Sequence, residues 1–458
     1  MGNYDVVIVG ARCAGSPLAI QLARAGLSVA VVDKDPFPSD TQSTHFFQTE
    51  GLVSLARLGV MDTLRGTGAP FIERANGRID NLMMDAPWPT RPGDVGGAMC
   101  VRRPVLDTIL VEAAQEAGAE VRTETRVVSV IKDAGRMAGV RVAGVRVATA
   151  TNGESDLRAP LVVGADGRGS IVGRQAGARM YNLTANERFG YWGYYEGASI
   201  PLPAAGYLHR FGEEFFIGAP TDAGLFMVIV LPPLDRLSSF RADPDRSFDE
   251  HVAKDEMLAD IVAKARRVEP LHKMLRWTGY FRESSGPGWV LVGDAGHFKD
   301  PAPAQGISDA LRQVDRLAPA IVDGLGRGQV VLDEALHAWW RWRDDDAYEM
   351  HWFAEDFGRA GPFPALAGEM TRRLYEDGRF AEFVDILNHR VRPSQLLKPG
   401  PAFAATGRLL RGGQPPRRQV FRELGDVMRR EIQHRRLKRH PAYRSEETPG
   451  RDAEPVEA

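Results

Sequence analysis

The sequence predicts an α/β protein: a Rossmann-like nucleotide-binding domain, a mixed β-sheet second domain and a helical C-terminal extension. Three observations carry this prediction. A strand–turn–helix–strand unit near the N-terminus holds two of the three glycines of a dinucleotide-binding turn. Two later apolar strands each end on a paired glycine and aspartate. Strand-like aromatic segments cluster between residues 189 and 232, whereas apolar spacing from Gly306 to about residue 440 is helical.

The first unit reads VIVGARCAGSPLA over residues 7–19. Val6–Val9 forms a strand, Pro17–Ala25 a helical run stopped by Gly26, and Val29–Val32 a second strand. Gly10 and Gly15 hold the first and third glycine places of G-x-G-x-x-G. Arg12 takes the second, where a missing side chain lets the backbone approach a pyrophosphate. Asp33 follows the second strand and is placed to accept hydrogen bonds from a ribose.

The polar loop DPFPSDTQSTHFF leads into EGLVSLARLGVMDTL, whose spacing predicts one amphipathic helix over residues 50–64. Residues 76–100 show no clear period. VRRPVLDTILVEAAQEAGAEV supplies a capped helix and a strand, and RVVSVI, AGVRVAGVRVAT and PLVVGADG read as a meander returning to a core strand. LVVGADGRGS places Asp166 and Gly167 after one strand; WVLVGDAGHFKDPAPAQGISDA places Gly293 and Asp294 after another. Each strand end presents a carboxylate to a polyol, and Gly293 and Gly296 permit close backbone approach. The helix opening near Gly306 aims its positive end at an anion. GLGRGQ at residues 324–329 reads as a loop between helices, and residues after 440 as a polar tail.

The chain has 458 residues and is 43% hydrophobic, enough for two or three domains. Its net charge of -2 provides no global field for nucleic acid or an anionic membrane. Two cysteines, Cys13 and Cys100, point to a reduced setting, and HFKD lacks metal-ligand spacing. No apolar run approaches a membrane span of about 20 residues. The expectation is a soluble, cytoplasmic protein without a metal.

The three glycine–acid sites, in this order and spacing, resemble the FAD-dependent monooxygenases of the p-hydroxybenzoate hydroxylase type, the single-component aromatic hydroxylases. The likeness spans roughly residues 4–345. It implies a glutathione-reductase-type FAD-binding domain in three pieces (1–75, 101–180 and 275–345), a substrate domain (76–100 and 181–274), a helical region (346–440) and a disordered tail (441–458). The family pattern G-D-A-x-H, three residues, P, two residues, G-Q-G, one residue, N becomes Gly293, Asp294, Ala295, His297, Pro301, Ala304, Gln305, Gly306 and Ser308, with Ala304 replacing a glycine and Ser308 an asparagine. Arg103 with Leu106 fits the family's R-x-x-L, with Arg102 as the neighbouring candidate.

By that resemblance the FAD-binding set is Gly10, Arg12, Cys13, Ala14, Gly15, Asp33, Lys34, Thr44, Arg103, Val127, Asp166, Gly167, Gly293, Asp294, Gln305, Gly306 and Ile307. The guanidinium of Arg12 lies near a phosphate or the flavin, or points to solvent. His45 in STH and Pro301 are the candidate catalytic residues; the bland alternative for His45 is a surface histidine, and His297 reads as packing. Trp192, Tyr194, Phe215 and Phe226 are candidate substrate contacts, alternation sending some inward and some to packing.

The implied activity is an NAD(P)H-dependent monooxygenase, reduced by NADPH or NADH. It would insert one oxygen atom from O2 into an aromatic or polyketide-like small molecule through a flavin hydroperoxide. Flavin-dependent halogenases share the framework but need a lysine about one fifth along, and none occurs between Lys34 and Lys132. Geranylgeranyl reductases, which GARCAGS and STH resemble, carry Y-x-W-x-F-P where this chain has FFIGAP. A prenyl or other alkene reductase stands as the alternative, and a non-catalytic flavin-binding scaffold as one of another class. The basic helix at 417–440 reads as a solvated face anchored by Val420, Leu424 and Val427, with membrane or partner docking as the other reading. Oligomeric state is left open.

Overall fold

The structure, a computed structural model, describes residues 2–135, 139–150, 153–396, 399–413 and 415–443. The part of the expected tail beyond residue 443 lies outside the described residues. Six strands form one sheet in the order Ser285–Gly286, Trp289–Leu291, Leu161–Gly164, Val6–Val9, Val29–Val32 and Glu120–Arg122. All neighbours are parallel except the first pair.

The run Val6–Val9 is buried throughout because both sheet faces are covered. Val6 and Ile8 pack with Leu18, Leu106 and Leu311 from three helices, Gly15–Arg24, Arg103–Glu116 and Gly306–Arg327. Val7 and Val9 pack with Val130, Val145 and Trp289 beneath the meander Arg126–Gly135, Gly139–Thr149 and Gly153–Arg158. Strand order reverses between Val6–Val9 and Leu161–Gly164, since the chain leaves the first strand toward Val29–Val32 and returns on its other side. Ligands of open parallel sheets bind beyond the strand C-termini at such a switch point.

The second sheet runs Arg266–Arg267, Gly190–Glu196, Phe226–Val230, Glu214–Pro220, Ala205–Phe211, Arg74–Ile79 and Leu82–Pro87, with His272–Met274 pairing Gly190–Glu196. Phe189, Tyr191 and Phe226 face Phe240 and Phe248 of the helices Leu237–Ala242 and Pro244–Val252. Trp192, Tyr194 and Phe215 face the opposite way, toward Phe46, Trp88 and the C-terminal helices. The mixed α/β architecture and the helical C-terminal region agree with the sequence expectation.

Three local expectations change. The helix expected at 50–64 is two, Thr49–Arg57 and Met61–Gly66, because Gly59 adopts φ +75° between them. Residues 76–100, aperiodic in sequence, contribute strands Arg74–Ile79, Leu82–Pro87 and Ala98–Cys100. The expected loop 324–329 shrinks to Gly328 at φ +99°, the helix continuing to Arg327. Gly324 lies within this helix, and its bare Cα allows Leu332 to pack against it: a Cβ there would lie 2.8 Å from Leu332 Cα. Further helices follow at Gln329–Gly358, Ala365–Glu376, Phe380–Leu387, Pro393–Leu396, Pro399–Gly412 and Arg417–Arg439. Among the described residues no helix is long and apolar enough to cross a membrane.

Candidate active site

The three glycine–acid signals meet at adjacent strand ends. Gly10 follows Val6–Val9 at φ +99°, and a Cβ on it would sit 2.4 Å from the Ala165 carbonyl oxygen and 3.1 Å from Asp166 Cα. Gly15 is equally constrained, its Cβ position 1.8 Å from the Gly10 carbonyl oxygen. Gly293, at φ +62°, would place a Cβ 3.1 Å from that of Ala14. The turn therefore needs glycine at these places for packing of the chain against itself.

Asp33 closes the turn: its carboxylate accepts the Ala11 N–H at 2.7 Å and the Asp35 N–H at 3.0 Å. Burial pushes its carboxyl up. Val127 is buried in the sheet core two residues beyond Thr125, whose N–H donates to the Asp33 carbonyl at 2.8 Å. Lys34 is exposed, and Thr44 is half-buried beside His45.

Arg12 does not point to solvent. Its side chain is 18% exposed and donates to Asp107 at 2.9 Å, Asp35 at 3.1 Å and the Ser39 hydroxyl at 3.0 Å, with Phe37 5.4 Å from the guanidinium carbon. Asp107, fully buried, also accepts from Arg103 Nε and Nη2 at 3.0–3.1 Å and from Cys13 Sγ at 3.3 Å. Burial pushes the Cys13 thiol far up, so it is inert. Asp107 was not among the sequence candidates. Its signal was present as Arg103 and Asp107 four residues apart on one helix.

Asp294 is half-buried, with desolvation raising its carboxyl against the pull of Arg168 and Arg103. Its backbone carbonyl accepts the Tyr280 hydroxyl at 2.6 Å, while the carboxylate receives no hydrogen bond from a described residue. Asp166 accepts the Ile171 N–H at 2.7 Å through Oδ2, whereas its buried Oδ1 has no partner. Gly167 adopts φ +70° beside it.

His45 is a buried residue, not a surface one, and sits at φ +57°, a strained conformation for a side-chain-bearing residue. Its Nε2 lies 2.5 Å from the Tyr194 hydroxyl, which accepts the Trp192 indole N–H at 3.1 Å. With Nδ1 carrying the proton of neutral His45, the tyrosine hydroxyl donates to Nε2; Nδ1 itself is buried and has no hydrogen-bond partner. Burial pushes the imidazole down to about 3 and raises the Tyr194 hydroxyl.

The segment after Asp294 turns inward. Pro301 is half-buried next to Asp300, which accepts the Trp277 indole N–H at 3.0 Å and whose carboxyl burial raises to about 6. Ala304, in the place of a family glycine, adopts φ +54°. Gln305 spends its amide nitrogen on the Ile386 and Leu387 carbonyls at 3.0 Å, which ties it to the C-terminal helices, while its Oε1 is buried and unpartnered. Ile307 is buried; Gly306 opens its helix in the open. Ser308 bridges to Gln48, accepting its N–H at 3.0 Å and donating to its Oε1 at 2.8 Å. His297 packs on Phe281 and His351, as expected of a packing residue. Lys299, buried, is paired with Asp309 at 2.5 Å. Among the described residues no cluster of three metal-ligating side chains occurs.

Pro303 and Ala304 also wall a cavity of about 60 Å³. Its other walls are Phe46, Met84, Leu208 and Phe380, with few polar groups, among them Gln48 and Asn76. Of the expected substrate contacts, Trp192, Tyr194, Phe215 and Phe226, none lines this cavity. The first three share its sheet face but lie toward the other edge; Phe226 faces the helices behind the sheet because side chains alternate along its strand. The cavity forms instead over the strands at 74–79 and 205–211, under the helix Phe380–Leu387.

The cleft suits a flavin dinucleotide: the unpartnered Oδ1 of Asp166, the Asp294 carboxylate that no described residue hydrogen-bonds, and an anion-accepting helix start lie at the switch point, and His45 offers a buried, unpartnered Nδ1. Residues 3–334 match a family described as FAD binding domain. The 1H-pyrrole-2-carbonyl-[peptidyl-carrier protein] brominase of Pseudoalteromonas luteoviolacea is 25% identical over 351 residues, 70% of this chain and 79% of that protein. The digeranylgeranylglycerophospholipid reductase of Methanosarcina acetivorans is 26% identical over 365 residues, covering 76% and 82%. Kynurenine 3-monooxygenase of Salinispora arenicola is 28% identical over 362 residues, covering 73% and 72%. Among solved structures, p-nitrophenol 4-monooxygenase from Pseudomonas putida shares the fold with a TM-score of 0.69 at 18% identity, over 86% of this chain and 100% of that one.

Proposed function

The chain belongs to the FAD binding domain family, and from that premise we propose that it is an NAD(P)H-dependent flavoprotein monooxygenase acting on an aromatic or polyketide-like small molecule. The observation that carries this reading is the shared wall: the segment descending from Asp294 continues through Pro303 and Ala304 into an apolar, aromatic cavity, which would have to widen beyond its about 60 Å³ to admit such a molecule. We assign residues 1–75, 101–180 and 275–345 to cofactor binding, in a glutathione-reductase-type arrangement, and 76–100 and 181–274 to the substrate.

The glycine turn, Asp33 and Asp166 would hold the ADP portion, Asp294 the ribityl hydroxyls, and Arg103 the region between them. Bound FAD supplies hydride acceptance from a nicotinamide and, once reduced, activation of O2. The residues around it exclude water and manage protons. Phe46, Leu208 and Phe380 keep solvent from the reacting ring. His45 Nδ1–H is a fixed, desolvated donor, and the Tyr194 hydroxyl behind it fixes its tautomer. Kynurenine 3-monooxygenase among the relatives supports this reading. Likeness to a brominase supports it less, because residues 35–131 contain no lysine and Lys299 is engaged with Asp309.

A second reading, reduction of a prenyl or other alkene, is favoured by the nearly polar-free lining and by the reductase relative. One experiment separates them. The FAD-loaded protein oxidises NADH or NADPH in air, with peroxide recorded, against phenols, anilines and aromatic polyketides. A compound that accelerates oxidation, gains an oxygen atom and lowers peroxide supports monooxygenation. If none does and the anaerobically reduced protein saturates a prenyl chain, the second reading replaces the first.

A further inference from the structure

We propose that the C-terminal helix Arg417–Arg439 docks the protein on an anionic phospholipid surface. The orientation of this helix is fixed by its inner face. Val420 is fully buried, Glu423 accepts the Leu366 N–H at 3.1 Å, Arg430 pairs with Asp356 at 3.1 Å, and the His434 ring stacks 4.1 Å from Trp352.

The outer face is therefore free to meet something else. At about 100° per residue, Phe421, Met428 and Ile432 fall on one narrow stripe. They are 59%, 59% and 66% exposed, side chains of a size seldom left in water together on one helix face. Arg417 and Arg435 border the stripe on one side, and Arg418, Arg429 and Arg436 on the other. The helix holds nine basic and three acidic residues in a chain whose net charge is -2. The acids Glu423, Asp426 and Glu431 all lie off the outer stripe. Asp426 and Glu431 engage Arg429 and Arg435, while Arg417, Arg418, Arg422 and Arg436 have no ion pair among the described residues.

An apolar ridge flanked on both sides by guanidinium groups matches a helix lying in a bilayer interface, its ridge in the acyl boundary and its arginines at the phosphates. A lipid surface meets this ridge without needing a complementary groove, which an acidic protein partner would have to supply. The inner face ties the ridge to the cavity: Leu366 lies in the first turn of the helix Ala365–Glu376, where a Cβ on Gly368 would touch Ile79 and Phe363, both cavity residues. Docking would thus bring the outer wall of the cavity toward the lipid, a suitable approach for a lipophilic substrate. The docking itself does not depend on which reaction the flavin performs.

The test is sedimentation of the full-length, FAD-loaded protein with phosphatidylcholine vesicles, with and without about one quarter phosphatidylglycerol. The expected result is roughly tenfold greater binding to the anionic vesicles, weakened by salt. A variant with Phe421→Ser, Met428→Ser and Ile432→Ser falls to the phosphatidylcholine level while keeping its flavin absorbance. A second, with Arg417→Gln, Arg418→Gln, Arg422→Gln and Arg436→Gln, loses the anionic preference. Wild-type protein that ignores anionic vesicles overturns the proposal and gives the face to an acidic protein or to the chain's own acidic terminus. Serine-variant binding equal to wild type overturns it as well.

Discussion

Replacing Asp107 by asparagine tests whether the cofactor cleft rests on a buried charge. The carboxylate is fully buried and is bound by Arg103 through two nitrogens, by Arg12 and by the Cys13 thiol. Removing one partner of a buried ion pair costs about 3–5 kcal/mol, because the remaining charge stays desolvated. Here the burden is unequal. Arg12 keeps Asp35 and Ser39 and is partly exposed, whereas among the described residues Asp107 is the only carboxylate bonded to Arg103. The expected loss is therefore at the lower end, roughly 3 kcal/mol, or about a hundredfold in the folding equilibrium. Urea unfolding followed by flavin fluorescence measures it. A companion variant, Arg103→Met with Asp107→Leu, removes both charges, so it should recover most of the stability but not the flavin occupancy. A single-variant loss below about 1 kcal/mol would refute the reasoning, since an intact anchor cannot be that cheap to uncharge.

Asp294→Ala should weaken FAD binding about tenfold to a hundredfold, the worth of a hydrogen-bonded charge at roughly 1.5–3 kcal/mol; titration of the apoprotein with FAD checks it, and unchanged affinity sinks the ribityl assignment. Tyr194→Phe frees His45 Nε2, so coupled turnover should fall on the order of tenfold with FAD retained, and more peroxide should form; unchanged coupling removes His45 from the mechanism. Asp40, 3.2 Å from His272, raises that imidazole above its ordinary 6.5. A raised histidine stabilises fully below its unfolded value and loses that contribution as pH climbs through the folded one. The urea midpoint should thus decline above about pH 6.5 in the wild type, and Asp40→Asn should flatten that decline.

Local signals explain what the sequence made legible. The strand Val6–Val9, the glycines around it and the strand ends at Asp166 and Asp294 are set by neighbours in the chain, and their residue types announce φ and burial. Asp107 was overlooked because an aspartate in the middle of a helix reads as surface; its spacing from Arg103 hints at a pair, but it takes the distant Arg12 to reveal that it is interior. The cavity beside Pro303 was not legible because alternation gives two faces of a sheet but not which stretch of it stands clear of its neighbours. Its actual walls pair Leu208 with Met84 and Phe380, contacts that no period in the sequence encodes. The break at Gly59 was missed because the apolar spacing carries on across it.

The wall contributed by Phe380–Leu387 is also the last to be synthesised. A chain emerging from the ribosome displays Gly10, Asp166 and Asp294 well before it can seal the space beside Pro303. Flavin capture is thus possible while the cavity beside Pro303 is still open to water, and a product cut short before Phe380 would keep its cofactor residues yet lack that cavity's outer wall. If the proposed monooxygenase reading holds, such a fragment would spend reductant on peroxide, and intact translation of the final helices would be a condition for a harmless enzyme.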